Sequence, residues 1–312
     1  MAAELVIAGQ AIEPGRQATL ELALPNLYTH TQLTMPLRVV RGRRDGPCLL
    51  VSAALHGDEI NGVEIIRRLL AMPLLRRVRG TLIAVPVVNV MGFLGHSRYL
   101  PDRRDLNRSF PGSDKGSLAS RLASLFVEAL LSKATHGIDL HTGAIHRTNL
   151  PQIRAHLEMA ETRAMAEAFR APVILESGKL VEGSLRREAL ERGIPYLVYE
   201  GGEALRFDEL AIRAGVRGVV AVMRELGMLP ALRAHRMPPQ PVIARQSLWM
   251  RAPQSGIVRA AQPLGAWIGQ DEPLAWIGDP FGDSDAPVPS RVAGIVIGRS
   301  NLPLVHEGEA LF

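Results

Sequence analysis

The stretch PCLLVSAALHGDE, residues 47–59, decides the reading of this chain. Residues 47–54 are apolar with almost no alternation, as expected of a strand covered on both faces of a sheet. The run breaks at His56-Gly57-Asp58-Glu59, after which Val63, Ile66, Leu69 and Leu70 recur at helical spacing. A buried strand that runs through a polar turn into an amphipathic helix is the unit of an α/β sheet, and it leaves four polar residues at the strand's C-terminal end.

The same pattern repeats outward. Strands are expected over 34–41 (TMPLRVVR), 81–88 (TLIAVPVV), a short Gly137–Leu140 segment ending at His141, and 195–199 (PYLVY) ending at Glu200. Helical periodicity marks Leu118, Leu122, Leu125, Phe126 and Leu130, and again 208–226. Between them lies a long polar loop over 91–116, and His146–Arg154 (HRTNLPQIR) reads as a second loop. Alternating strands and helices predict an α/β fold with helices on both faces of the sheet. Near residue 237 the character changes. MPPQPV is a proline-rich linker, and the runs after it are short and punctuated by Gly, Pro and Asp, which predicts a small all-β domain. The expected division is 1–238 and 239–312. Within the second part, APQSGIV (252–258) is loosely echoed by VPSRVAGIV (288–296), suggesting two related hairpins. This part resembles biotinyl and lipoyl carrier domains but has no Lys at its turn, so a structural or access-limiting role is expected of it.

Composition removes several classes. The 312 residues are 47% hydrophobic and 21% charged, which supports a full core. The formal charge is +5, yet Lys contributes only Lys115, Lys133 and Lys179 to 36 basic residues, and aromatics are 4%. Without a basic block or an aromatic stacking platform, no nucleic-acid partner is expected. No apolar run approaches the roughly 18 residues of a membrane helix, and MAAELVIAGQ carries no secretory signal pattern, so no membrane partner and a cytoplasmic location are expected. Cys48 is the only cysteine, which excludes an intramolecular disulfide and a thiolate cluster. The basic excess is uneven: residues 241–312 hold five Arg against seven Asp and Glu, whereas the first 240 hold 31 basic against 24 acidic residues. Four of those arginines, Arg98, Arg103, Arg104 and Arg108, share the first polar loop, a local field suited to drawing in a carboxylate-bearing substrate.

Three candidate metal ligands sit at predicted strand ends: His56 and Glu59 as H-x-x-E, and His141 in Asp139-Leu140-His141-Thr142-Gly143. Two imidazoles and one carboxylate are the donor set of a catalytic zinc with an open position. Strand ends that face one crevice are where open α/β sheets bind ligands. Asp139 is placed to orient an imidazole.

His56-Gly57-Asp58-Glu59, Asp105-Leu106-Asn107-Arg108 with Phe110-Pro111-Gly112, Asp139-Leu140-His141-Thr142-Gly143 and Glu200 together resemble the succinylglutamate desuccinylase/aspartoacylase family, in order along nearly the whole chain. The resemblance implies a zinc carboxypeptidase-like mixed sheet and one zinc ion held by His56, Glu59 and His141. It implies Glu200 as general acid/base and Arg98, with Arg103 or Arg104 as alternatives, as the residue that polarises the scissile carbonyl. It implies Asn107 and Arg108 as substrate anchors; Arg147, Asn149 and Arg154 are added as substrate-side candidates from their loop. The implied activity is hydrolysis of the amide of a small N-acylated amino acid or related amine. The alternatives are a zinc carboxypeptidase on short peptides and a non-catalytic binding protein on the same fold. A homo-oligomer is compatible with all of these.

Overall fold

The structure, a computed structural model, describes residues 4–176, 178, 180–231 and 239–312. A short ribbon of β1 (Val6–Ile7) and β2 (Gln10–Ala11) precedes the large sheet. That sheet is built from β3 (Gln17–Ala23), β4 (Thr34–Arg41), β5 (Cys48–Ala53), β6 (Thr81–Val85), β7 (His136–Gly143), β8 (Arg147–Ala155), β9 (Val173–Glu176), β10 (Tyr196–Glu203) and β11 (Val242–Ala244). Their spatial order is β11-β9-β8-β10-β7-β5-β6-β4-β3. The centre β10-β7-β5-β6 is parallel, the pairs β3–β4, β4–β6 and β8–β10 are antiparallel, and β8, β9 and β11 run parallel to one another. The fold is therefore α/β on a mixed sheet.

Side-chain alternation sorts the sheet into two faces. On one, Leu49, Val51 and Ala53 of β5, Ile138 and Leu140 of β7, and Leu197 and Tyr199 of β10 pack under α1 (Asn61–Leu70), α4 (Ala160–Phe169) and α6 (Glu209–Glu225). On the other, Leu50, Ile83, Val85 and Tyr196 meet α3 (Leu118–Ala129) and α5 (Leu185–Glu191). A short helix, α2 (Val90–Leu94), follows β6. Because Ile138, Leu140, Leu197 and Tyr199 take the first face, Asp139, His141, Val198 and Glu200 must take the second. Register pairs Val198 with Asp139 and Glu200 with His141. This parity brings two distant motifs together.

After β11, β12 (Gly256–Ala260), β13 (Trp267–Ile268), β14 (Pro273–Gly278), β15 (Asp285–Pro289), β16 (Gly294–Ile295), β17 (Gly298–Ser300) and β18 (Leu304–Val305) form a small β region with its own core around Met250, Leu274, Ile277 and Val305. Its sheets are β15-β14-β12-β18 and β13-β16. Of the echoed segments, 252–258 enters β12, which pairs with β14 and β18, while 288–296 runs from the end of β15, in that same sheet, into β16, which pairs with β13. Two strands beyond residue 240 belong to the large sheet instead: β11 extends it beside β9, and β17 pairs antiparallel with β8. The expected linker from Met237 to Val242 lies partly outside the described residues. No described helix is long and apolar enough to cross a membrane.

Most of the segment 146–154 is strand, β8 from Arg147 onward, rather than the loop its composition suggests, with His146 in the turn before it. Ile153 enters the core under α4 and α6, while its neighbours Gln152 and Arg154 take the opposite face. Polar residues facing a pocket had masked the period-2 pattern. Likewise β7 and β10 run beyond their predicted ends, through His141 and Glu200. Cys48 is half-buried at the start of β5, and burial pushes its thiol up to about 12.

Candidate metal centre and pocket

His56 is set by an abrupt turn at the end of β5. Ala54 takes a left-handed backbone (φ 49°), an uncommon conformation for a residue with a Cβ. Gly57 lies against α2: a Cβ there would stand 2.0 Å from the carbonyl carbon of Gly92. Only glycine at the second position of H-G-D-E lets the turn pack so closely.

The predicted ligands converge. His56 Nδ1 lies 2.7 Å from Glu59 Oε1, and His141 Nδ1 lies 2.7 Å from Glu59 Oε2. One ligand atom from each of the three residues falls within 4.8 Å of the others, and all three residues are buried. The other ring nitrogens turn outward to carboxylates: His141 Nε2 to Asp139 Oδ2 at 2.6 Å and His56 Nε2 to Asp105 Oδ1 at 3.2 Å. Asp139 is in turn fixed by the Ser52 hydroxyl, which donates to Oδ1 at 2.7 Å. An imidazole whose Nε2–H is held by a carboxylate presents its Nδ1 lone pair, so both rings aim their donor atoms at one point. Two imidazoles and a carboxylate with open access to a pocket fit a zinc ion in its catalytic form.

The electrostatics follow from this packing. Burial disfavours charge on Glu59, but the two imidazoles overcome it and hold its carboxyl well below the usual range. Burial likewise opposes protonation of His141, yet Asp139 and Glu59 raise it well above 6.5. For Asp105 burial is outweighed by His56 and Arg98, which keep it low.

A pocket of about 270 Å³ opens from this cluster. Arg98 lines it, donating to Asp105 Oδ2 at 2.9 Å and to Glu59 Oε1 at 3.3 Å. Arg103 and Arg104 do not line it. Asn107 and Arg108 do; Asn107 Oδ1 accepts from the Leu185 N–H at 3.0 Å and so ties the loop to the start of α5. Glu200, the register partner of His141 on the neighbouring strand, lines the pocket as well. Its Oε2 accepts from Asn149 Nδ2 at 2.9 Å, and its Oε1 lies 3.4 Å from Arg154 Nε, an ion pair without hydrogen-bond geometry. Asn149 and Arg154 differ in strand parity, yet both reach Glu200. An irregularity in the β8–β10 ladder, with Glu200 opposite Gln152 but Gly202 opposite Asn149, inserts the extra residue that restores the face. Gly202 takes φ 77° there.

The motifs did not reveal Ser184, Arg186 or Trp249, which also line the pocket. Arg186 enters from the first turn of α5; burial and the nearby Arg154 lower its pKa to about 10, with Glu200 opposing, so it remains a cation at neutral pH. Nothing distinguished it in sequence from Arg187 beside it, which pairs instead with Glu191 at 2.7 Å. The orienting role of Asp105 was also unread, because forty-nine positions separate it from His56.

The family model for the succinylglutamate desuccinylase/aspartoacylase catalytic domain matches residues 45–226. The chain belongs to this family. It is 28% identical over 292 residues to N-alpha-acetyl-L-2,4-diaminobutyric acid deacetylase of Halomonas elongata, covering 89% of this chain and 84% of that protein. A shorter match, 34% over 154 residues and 42% of each chain, is to succinylglutamate desuccinylase of Burkholderia cenocepacia. Among solved structures, the product-bound ectoine utilization protein EutE (DoeB) of Ruegeria pomeroyi superposes with a TM-score of 0.83 at 26% identity, covering 95% of this chain and 94% of that one. A succinylglutamate desuccinylase/aspartoacylase of Rhodobacter sphaeroides gives 0.84 at 25%, covering 96% and 95%. As a family member the chain thus has relatives named as deacylases.

Proposed function

We propose that this protein is a zinc-dependent deacylase that hydrolyses the amide of a small N-acylated amino acid. The observation that carries the reading is the convergence of His56, Glu59 and His141 on one point, with Glu200 lining the same pocket. When bound, zinc would supply a Lewis acid that acidifies water and polarises an acyl carbonyl. The chain's residues do the rest. Glu200, aimed by Asn149 at 2.9 Å, takes a proton from the attacking water and passes it to the leaving amine. Arg98 is the guanidinium nearest the ligand cluster and offers N–H donors to the oxygen on which negative charge develops. Arg108, Arg147, Arg154 and Arg186 line the remaining wall and suit the carboxylate that every N-acyl amino acid carries.

Two measurements on the purified protein test this: zinc content, and turnover of an N-acyl amino acid panel with and without chelator. One equivalent of zinc with chelator-sensitive release of free amino acid is expected. Zinc-loaded protein that cleaves none of the panel, or cleaves it equally after chelation, refutes the reading.

A further inference from the structure

Trp249 is the only pocket-lining residue, among those described, that comes from beyond position 240. Its neighbour Met250 is pinned to the chain's end, with Met250 N–H donating to Phe312 O and Leu311 N–H to Met250 O, each at 2.8 Å. The Arg147 guanidinium lies over the Trp249 ring, 5.1 Å from its centroid. The Arg147 backbone is held by the same C-terminal region: β17 pairs Ser300 with Arg147, and the Asn301 N–H donates to His146 O at 2.8 Å. Both members of the stack are therefore fixed by one unit, although Trp249 is 44% exposed and Arg147 belongs to the rim.

The charge of the pocket beyond the ligand cluster is lopsided. Arg108, Arg147, Arg154 and Arg186 face a single carboxylate, Glu200, since Glu59 and Asp139 are taken up by imidazoles. No residue outside the description is acidic. A substrate ammonium group finds no carboxylate of its own here, whereas two anions find partners. Arg147 and Arg154 stand at opposite ends of β8, one stacked on Trp249 and the other beside Glu200.

We propose that Trp249 is a positioning residue for substrate selection: its ring holds Arg147 at the pocket mouth as a second anion-binding corner, suited to an N-acyl amino acid that carries a further carboxylate remote from the scissile amide. This deepens the deacylase reading above and rests on it for the reaction, not for the binding.

The test compares ligands that differ by the second carboxylate group. Glutarate and butyrate are titrated calorimetrically into the wild type, Arg147→Ala, Trp249→Ala and Trp249→Phe, each with the metal it carries as purified. The wild type should bind glutarate more tightly than butyrate. Arg147→Ala should abolish that ratio, Trp249→Ala should cut it on the order of two- to five-fold, as loss of an exposed cation–π contact implies, and Trp249→Phe should restore most of it. In kinetics, Trp249→Ala should raise KM for N-acetylglutamate relative to the near-isosteric N-acetylnorvaline, with little change in the ratio of kcat values. The proposal is overturned by a wild type with no preference for glutarate, by a preference undiminished in Trp249→Ala, or by better turnover of N-acetyl-2,4-diaminobutyrate than of N-acetylglutamate. Failure of the metal-loaded wild type to hydrolyse any amide would refute the deacylase reading alone, since the binding ratios still decide the role of Trp249.

Discussion

Replacing Asp139 with asparagine isolates the part of the candidate metal centre that lies outside the proposed ligands. Asp139 is fully enclosed, and its two oxygens have separate tasks: Oδ1 accepts from Ser52 at 2.7 Å and Oδ2 holds His141 Nε2 at 2.6 Å. Asparagine has the same shape. With its oxygen toward His141 and its amide toward the Ser52 oxygen it keeps both contacts and loses only the charge. Position and tautomer of the ring therefore survive, while the basicity of Nδ1 falls. Loss of such an orienting partner costs about 10–100-fold in metal affinity, or about 1.4–2.7 kcal/mol. A chelator competition titration of zinc measures it, with circular dichroism checking the fold. Zinc affinity within two-fold of wild type in a folded Asp139→Asn protein would refute the claim that the Asp139 charge strengthens His141 Nδ1 as a ligand.

The metal-free protein offers an independent check with a definite sign. Asp139 and Glu59 raise His141 above its ordinary 6.5 in the folded state. A raised histidine contributes stability that is complete below the unfolded value and is lost as pH rises through the folded value. Asp139→Asn removes part of that elevation, so its cost to the chelated protein should be greatest below pH 6.5 and shrink as the pH is raised. Thermal unfolding at a series of pH values reads this directly, and a cost that grows with pH would contradict it.

Three further outcomes are expected. Glu200→Gln should lower kcat by at least about two orders of magnitude while zinc content stays at the wild-type level; an active variant removes Glu200 from proton transfer. Gly57→Ala should destabilise the protein by about 1–3 kcal/mol or more, because the new Cβ meets Gly92 backbone rather than a movable side chain, and denaturant unfolding will show it. Glu64, clasped by Arg67 and Arg68, is held down at about 2, so its contribution exists above its ordinary 4.5 and disappears as pH falls toward 2; the difference in melting temperature between wild type and Glu64→Gln should shrink over that interval and not over pH 6–8.

What could be read in advance depended on whether one short segment carried the whole signal. The strand-turn-helix at 47–70 did, since burial, turn and amphipathic face are all local, and the observed β5 and α1 fall inside it. The meeting of Asp139-x-His141 with Glu200 rests on parity and register between strands fifty-nine positions apart, and only the register of β10 on β7 makes it visible. Strand β8 stayed hidden because its pocket face carries Arg147, Asn149, Gln152 and Arg154, the polar content by which loops are usually recognised. A functional strand erases the pattern that betrays strands, and it does so most where the site is richest. Arg186 and Trp249 are the limiting case. Each is unremarkable in its own segment and acquires a role only through an element packed from elsewhere, α5 set down by Asn107 and the C-terminal region tied to β8 through β17. The residues that could hold a metal, His56, Glu59 and His141, could be read locally because strand ends converge by construction of the sheet. Arg186 and Trp249 could not, because they reach the pocket on elements packed around that sheet.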